Sequence, residues 1–209
     1  SATASAAGAH LPIPVPTPVE KHVSDITREE LIGLLTSKLP QQVVPLTPDQ
    51  EQDIADTLSK HLGIAVMPEL NGIRLNRSYG LIGQEQHLPR FPGDSIAAHF
   101  TSTQEAQTYA SYGMTAGRGA WGYFANSQSQ LSTEDVLREK YYIAVPTFLA
   151  PGWSQHVKDY KEFLKYRKML VVNPQNGKAI VCDIADAGPA AATGKHLGGS
   201  PEVMKYLER

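Results

Sequence analysis

The chain has 209 residues, of which 19% are charged, and a net charge of −2. That length suits one domain or two small ones, and the near-neutral balance argues against nucleic acid as a partner, which would call for a basic face. A single cysteine, Cys182, excludes a disulfide within the chain, and no apolar run reaches the ~18–20 residues that cross a bilayer.

Residues 1–24 read as an extended linker. The Ala- and Ser-rich start has the composition left after removal of a signal or anchor. Pro12, Pro14, Pro16 and Pro18 alternate with other residues, which favours a spacer without hydrogen bonds. The expectation is a secreted or cell-envelope protein, tethered to a membrane through this linker; an ordinary disordered end has the same composition.

A helical subdomain and a polar loop region are expected over residues 25–111. Thr27 and Glu30 form a capping-box pattern opening a helix over 28–38, with Leu31, Ile32, Leu34 and Leu35 as its apolar stripe. Pro40 and Pro45 end it. Thr47 as N-cap, Pro48 at the first helical position and Gln50 at the third open a second helix to about His61, stopped by Gly63. Ile54, Leu58 and Leu62 form its buried side. Such a pair cannot bury its faces alone, so it packs on the rest of the chain or forms a homodimer.

Residues 76–94 are too polar for a core and too ordered in composition for a linker, which suits a site-bearing loop. Glu85, His87 and Arg90 stand out there; a solvated Glu85–Arg90 ion pair is the plainer reading. A short helix over 104–111 and a glycine-rich turn over 113–119 lead to Ala120-Trp121-Gly122-Tyr123. Ser132 caps a helix through Glu139, residues 141–145 read as a strand, and 160–166 as a helix or rim loop. Strands over 168–172 and 179–184 follow, joined by Asn176-Gly177, where both central positions accept φ > 0. Asp186 then stands at a strand end, before Gly188-Pro189.

The hairpin Val171-Val172-Asn173-Pro174-Gln175-Asn176-Gly177-Lys178, followed by a strand running into Asp186-Ala187-Gly188-Pro189, resembles the double-psi β-barrel family of rare lipoprotein A, barwin and expansin. That family has a V-x-N-x-x-N-G-K hairpin and a D-x-G-P strand end. Residues 120–123 look like its opening A-S-W-Y-G strand, 141–146 sit where it has an A-A-H strand, and 195–200 lie where it reads (R/H)-(I/F)-D-L-S. The resemblance covers the last hundred residues and implies an α+β protein: a six-stranded double-psi barrel over 112–209 below an N-terminal helical subdomain. Gly198 departs from it, standing where the family places a second aspartate, so this chain has lost that carboxylate or supplies one from elsewhere.

The resemblance implies a protein that binds or cuts peptidoglycan or a related cell-wall polysaccharide, and a lytic transglycosylase-like activity is the favoured reading. That chemistry needs one carboxyl group, which protonates the leaving oxygen and then takes the proton of the sugar's own hydroxymethyl group. Asp186 is the expected acid/base, with Glu85 and His87 as further catalytic candidates. Arg90, Trp121, Tyr123, Asp183 and His196 are expected to line the groove, aromatic rings offering flat apolar faces to sugars. For Asp186 the plainer reading is a turn cap, for His196 a structural histidine, and for the aromatics, Trp153 included, a place in the core. His87 and Asp94 have the H-x₆-D spacing of zinc D-Ala-D-Ala peptidases, but the companion E-x-x-H is missing and His156 has no glutamate in place, so no metal or cofactor is expected. A non-catalytic, expansin-like binding module and a dimeric interaction scaffold are the alternatives.

Overall fold

The computed structural model describes residues 25–208, the first three as backbone only; the proline-rich linker expected over 1–24 lies outside them. Two helices come first, α1 (Asp25–Lys38) and α2 (Pro48–Leu62). α2 starts as its sequence dictates: Thr47 accepts from the Gln50 N–H, the Gln50 side chain accepts from the Thr47 N–H, and Pro48 fills the first helical position. Gly63, at φ 66, closes it in the left-handed region. α1 starts earlier than expected, so Thr27 lies inside the helix and not at its cap.

Five short strands form one mixed sheet: β1 (Ile82–Gln84), β2 (Tyr142–Val145), β3 (Lys168–Val172), β4 (Ala179–Ala187) and β5 (Leu197–Gly199). Their order across the sheet is β1-β5-β2-β4-β3. β3 and β4 pair antiparallel, β4 lies parallel to β2, β2 meets β5 antiparallel, and β5 lies parallel to β1. Four further helices occupy the connections and the end of the chain: α3 (Thr103–Tyr109), α4 (Thr133–Lys140), α5 (Val157–Leu164) and α6 (Pro201–Leu207). The protein is thus α+β, and among the described residues its sheet is open. Residues 120–123, expected as an opening strand, make a tight turn instead, with the Gly122 N–H donating to Gly119 O and Gly122 at φ 87.

The core divides by sheet face. Ile143, Val145, Val171, Ile180, Cys182 and Ile184 pack with Leu164 of α5 and Val203 and Leu207 of α6. Burial at this depth pushes the Cys182 thiol well above its usual range and leaves it inert. On the other face, Leu31 and Leu35 of α1 and Leu58 and Leu62 of α2 pack against Ala179, Leu170 and Val172. The helical pair therefore buries its apolar stripes on the β3–β4 hairpin of its own chain. A cavity of about 540 Å³ remains between this pair and the hairpin, lined by apolar residues such as Ile54, Val66, Ile73, Met169 and Leu170.

The hairpin loop differs from a two-residue turn. Val172 pairs with Ala179, and the Gly177 N–H donates to Asn173 O, so Pro174, Gln175 and Asn176 are carried in a wider loop. Only Gly177, at φ 71, takes the left-handed conformation. The wider loop puts both asparagine amides to use: Asn173 Nδ2 and Asn176 Nδ2 donate to Leu207 O at 2.9 and 3.1 Å, satisfying a carbonyl at the end of α6. A methyl group on Gly177 would meet Arg28 Cγ of α1 at 2.6 Å as well as a strained backbone. Gly177→Ala is expected to cost about 1–3 kcal/mol, measured as a lower midpoint in urea unfolding.

Candidate functional site

Asp186 stands near the end of β4, beside β2. A register shift in that pair brings Asp186, not Ala185, level with Ala144, so the bulge aims Asp186 to the face that carries Tyr142 and Ala144. Its Oδ1 accepts from the N–H groups of Ala120 and Ala187, both at 2.9 Å. Gly119 makes that approach possible, because a Cβ there would stand 2.9 Å from Ala185 O. Asp186 is half-buried. Burial raises its carboxyl above the ordinary aspartate range, and the negative charge of Glu85 adds to this, outweighing the two amide donors that favour the ionised form.

A pair of glycines builds the neighbouring part of the site. Gly83 and Gly198 are opposite each other in the β1–β5 pair, and Gly198 also sits opposite Ala144. Residue 198 thus lies two strands from Asp186, about 10 Å by strand spacing. A side chain on Gly198 would collide with the Glu85 carboxylate, and one on Gly83 with the Lys195 stem. Both side chains therefore lie flat on a glycine floor, where Lys195 Nζ donates to Glu85 Oε1 at 2.9 Å and to Gln84 O at 3.0 Å. Glu85 fills the space that a side chain at position 198 would take.

The other expected site residues are dispersed. Asp183 is buried and pairs with Lys168 Nζ at 2.6 Å, out of contact with solvent. His196 packs over Gly80 and its Nδ1 accepts from the Leu81 N–H at 2.9 Å, which straps the approach to β1 onto β5. Trp121 donates its indole N–H to Lys161 O and packs at the edge of the core, as does Trp153. Tyr123 is exposed, with the Arg118 guanidinium 5.9 Å from its ring centre.

His87 and Arg90 lie on irregular chain, but in the core and not on the surface. The segment after β1 continues as ordered chain: the His87 N–H donates to Gly113 O, His87 O accepts from the Thr115 N–H, and Arg90 O accepts from the Phe124 and Ala125 N–H groups. His87, Leu88, Pro89, Arg90 and Phe91 are buried. A stretch that reads as too polar for a core is in the core because its charges are paired there.

Their partner is Glu139 of α4, fully buried. Its Oε2 accepts from Arg90 Nε at 3.0 Å and Nη2 at 2.8 Å, and its Oε1 from the Leu88 N–H at 3.0 Å. His87 Nδ1 stands 3.4 Å from Oε1 and His99 Nδ1 3.5 Å from Oε2. Glu202, in the first turn of α6, brings Oε2 to 3.8 Å from His87 Nδ1. Burial opposes ionisation of Glu139, but the groups packed around it overcome that cost and hold the carboxyl far below its usual range. Sequence reasoning missed Glu139, Glu202, His99 and Lys195. Glu139 lies three residues from Val136, on one side of a short helix, and a carboxylate on such a stripe is the signal that could have found it.

Two outcomes follow from this geometry. Gly198→Asp should destabilise the fold by about 1–3 kcal/mol through overpacking against Glu85, and adding Glu85→Ala should recover most of the loss; urea unfolding of the two variants decides it. For Asp186, a folded-state pKa above the unfolded one means that ionisation opposes folding. That penalty is absent below the ordinary pKa of about 3.9 and complete once pH exceeds the raised value. Asp186→Asn keeps the Oδ1 acceptor and removes the charge. It should melt above wild type near neutral pH and lose that advantage in acid.

No family model, curated protein or solved structure matches this chain.

Proposed function

We propose that the chain cleaves peptidoglycan glycan as a lytic transglycosylase does, with Asp186 as its acid/base. The observation that carries this reading is the state of Asp186: half-buried, fixed through Oδ1 by two backbone amides, and raised in pKa by burial and Glu85. A carboxyl group poised in this way can be protonated when substrate arrives. It gives that proton to the glycosidic oxygen as the C–O bond breaks. As carboxylate it then takes the proton of the sugar's 6-hydroxyl, whose oxygen bonds to the anomeric carbon, and no water is consumed.

Glu85 stands where the family's second aspartate would project, and its charge, partly neutralised by Lys195, favours the protonated form of Asp186. Tyr123, exposed beside Arg118, offers a sugar-stacking face near the Gly119–Ala120 turn that grips Asp186. The double-psi barrel belongs to the same proposal. Support comes from two parallel pairs, β2–β4 and β1–β5, meeting at the antiparallel β2–β5 contact, and from the parallel bridge of His87 with Met114 beyond β1. A secreted or envelope location is part of the reading because the substrate lies there. Binding without cleavage, in the manner of expansin, is the second reading, favoured by the ion pair that occupies Glu85.

Incubation of purified sacculi with the protein, followed by mass spectrometry of the soluble products, tests both. Anhydro-muropeptides from wild type and none from Asp186→Asn is the expected result, with activity falling as pH rises through the raised Asp186 pKa. No product from either, with both proteins sedimenting with sacculi, would leave the binding module in its place.

A further inference from the structure

Four buried side chains converge where the last turn of α4, the first turn of α6 and the segment from His87 to His99 meet. Among the described residues, one ligand atom each from His87, His99 and Glu139 lie within 4.8 Å of one another. His87 Nδ1, His99 Nδ1 and both oxygens of Glu202 are buried without a hydrogen-bond partner. We propose that His87, His99, Glu139 and Glu202 bind one divalent transition-metal ion of the zinc class, a site independent of the glycan reading.

The tautomers give the first argument. His87 Nε2 faces Tyr109 O at 3.2 Å and His99 Nε2 faces Asp94 Oδ2 at 2.7 Å. Both are acceptors only, so each Nε2 carries the hydrogen. Each neutral ring then aims the lone pair of Nδ1 at the Glu139 carboxylate. Acceptor facing acceptor is repulsive unless a cation lies between them. The same outer contacts, a carboxylate and a backbone carbonyl behind the far nitrogen, are those that orient metal-binding histidines. Asp94 is itself fixed, accepting at Oδ2 from the Arg90 N–H and at Oδ1 from the Ser95 N–H.

Distance gives the second. Were the two rings imidazolium, each Nδ1–H would form a charge-assisted bond of about 2.7–2.9 Å to Glu139. The separations are 3.4, 3.5 and 3.8 Å. A tetrahedron with bonds of about 2.0–2.2 Å has edges of about 3.3–3.6 Å, which the two separations to the Glu139 oxygens match, while the Glu202 contact is wider and the ligand atoms of His87, His99 and Glu139 lie within 4.8 Å of one another. Two imidazoles and two carboxylates are donors that suit zinc and its neighbours.

Charge gives the third. With neutral histidines the cluster holds one cation, Arg90, against the carboxylates of Asp94, Glu139 and Glu202. A divalent ion cancels that excess, which burial otherwise makes costly. The His87–Asp94 pair, read from the sequence, suggested no metal because the companion E-x-x-H is missing; in the structure Asp94 is not itself a ligand. Asp94 holds His99, and Glu139 and Glu202 complete the set from two helices.

The test uses the full chain, stripped with chelator and shown folded by circular dichroism. Zinc alone is titrated by calorimetry, and cobalt(II) alone is followed by its visible absorption. Expected are one zinc per chain, a four-coordinate cobalt spectrum, a higher melting temperature with zinc, loss of binding in His87→Gln and Glu202→Gln, and roughly 10–100-fold weaker binding in Asp94→Asn. The Gln replacement of Glu202 keeps its size, so it reports on binding even if His87→Gln does not fold. A folded wild type that takes up no zinc overturns the proposal, as does zinc binding of unchanged affinity in Glu202→Gln.

Discussion

Glu139 sets a carboxylate in the centre of the protein with no exposure to solvent, and the surrounding chain is arranged to make that tolerable. An ion stripped of water costs several kcal/mol unless partners replace the water. Here a guanidinium and a backbone amide do so. Those partners and the two imidazoles that face Glu139 all come from residues 87–99, so one side chain of α4 fixes the path of a whole irregular segment. The same helix leads directly into β2, the strand that touches both β4 and β5. The buried anion thus ties the irregular region to the middle of the sheet.

The surroundings of Asp186 and Glu85 rest on a different device, the omission of side chains. Gly119 lets the backbone close on Asp186, Gly198 admits the Glu85 carboxylate, and Gly83 admits the Lys195 stem. Each group is held by neighbours that cannot move far without breaking strand pairing. Asp186 is gripped by amides and Glu85 by a lysine, so the two carboxylates differ in their hydrogen-bonding state. The bulge in β4 supplies the remaining condition, since regular alternation would turn Asp186 to the opposite face.

Local signals in the sequence were reliable where a single turn decides the outcome. The Thr47-Pro48-Gln50 start and Gly63 stop of α2, the Ser132 cap of α4, and the β3–β4 hairpin all form as their residues suggest. Apart from the Thr27 cap, which falls inside α1, the terms that failed are non-local. Asn176-Gly177 suggested a two-residue turn, but the asparagines are drawn to the end of α6, far along the chain. β1 and β5 are only three residues each and contain the glycines Gly83, Gly198 and Gly199, so neither shows strand propensity. His87 and Arg90 read as polar loop residues because their partners on α4 and α6 are fixed only by tertiary packing. The position of Asp186 near a strand end was legible, while the space over Gly198 that Glu85 fills was not.

The pairing of Lys195 with Glu85 has a temporal side. The two residues are separated by 110 positions, and among the described residues β1 pairs only with β5, close to the last of them. Contacts of such long range close late, since the loop entropy must be met before they stabilise anything. During synthesis, Asp186 and the hairpin emerge before the segment that carries Lys195 and Gly198. The β1–β5 edge of the sheet is therefore the last part of the protein to acquire its shape, and an unfinished chain carries Asp186 without that charge pair.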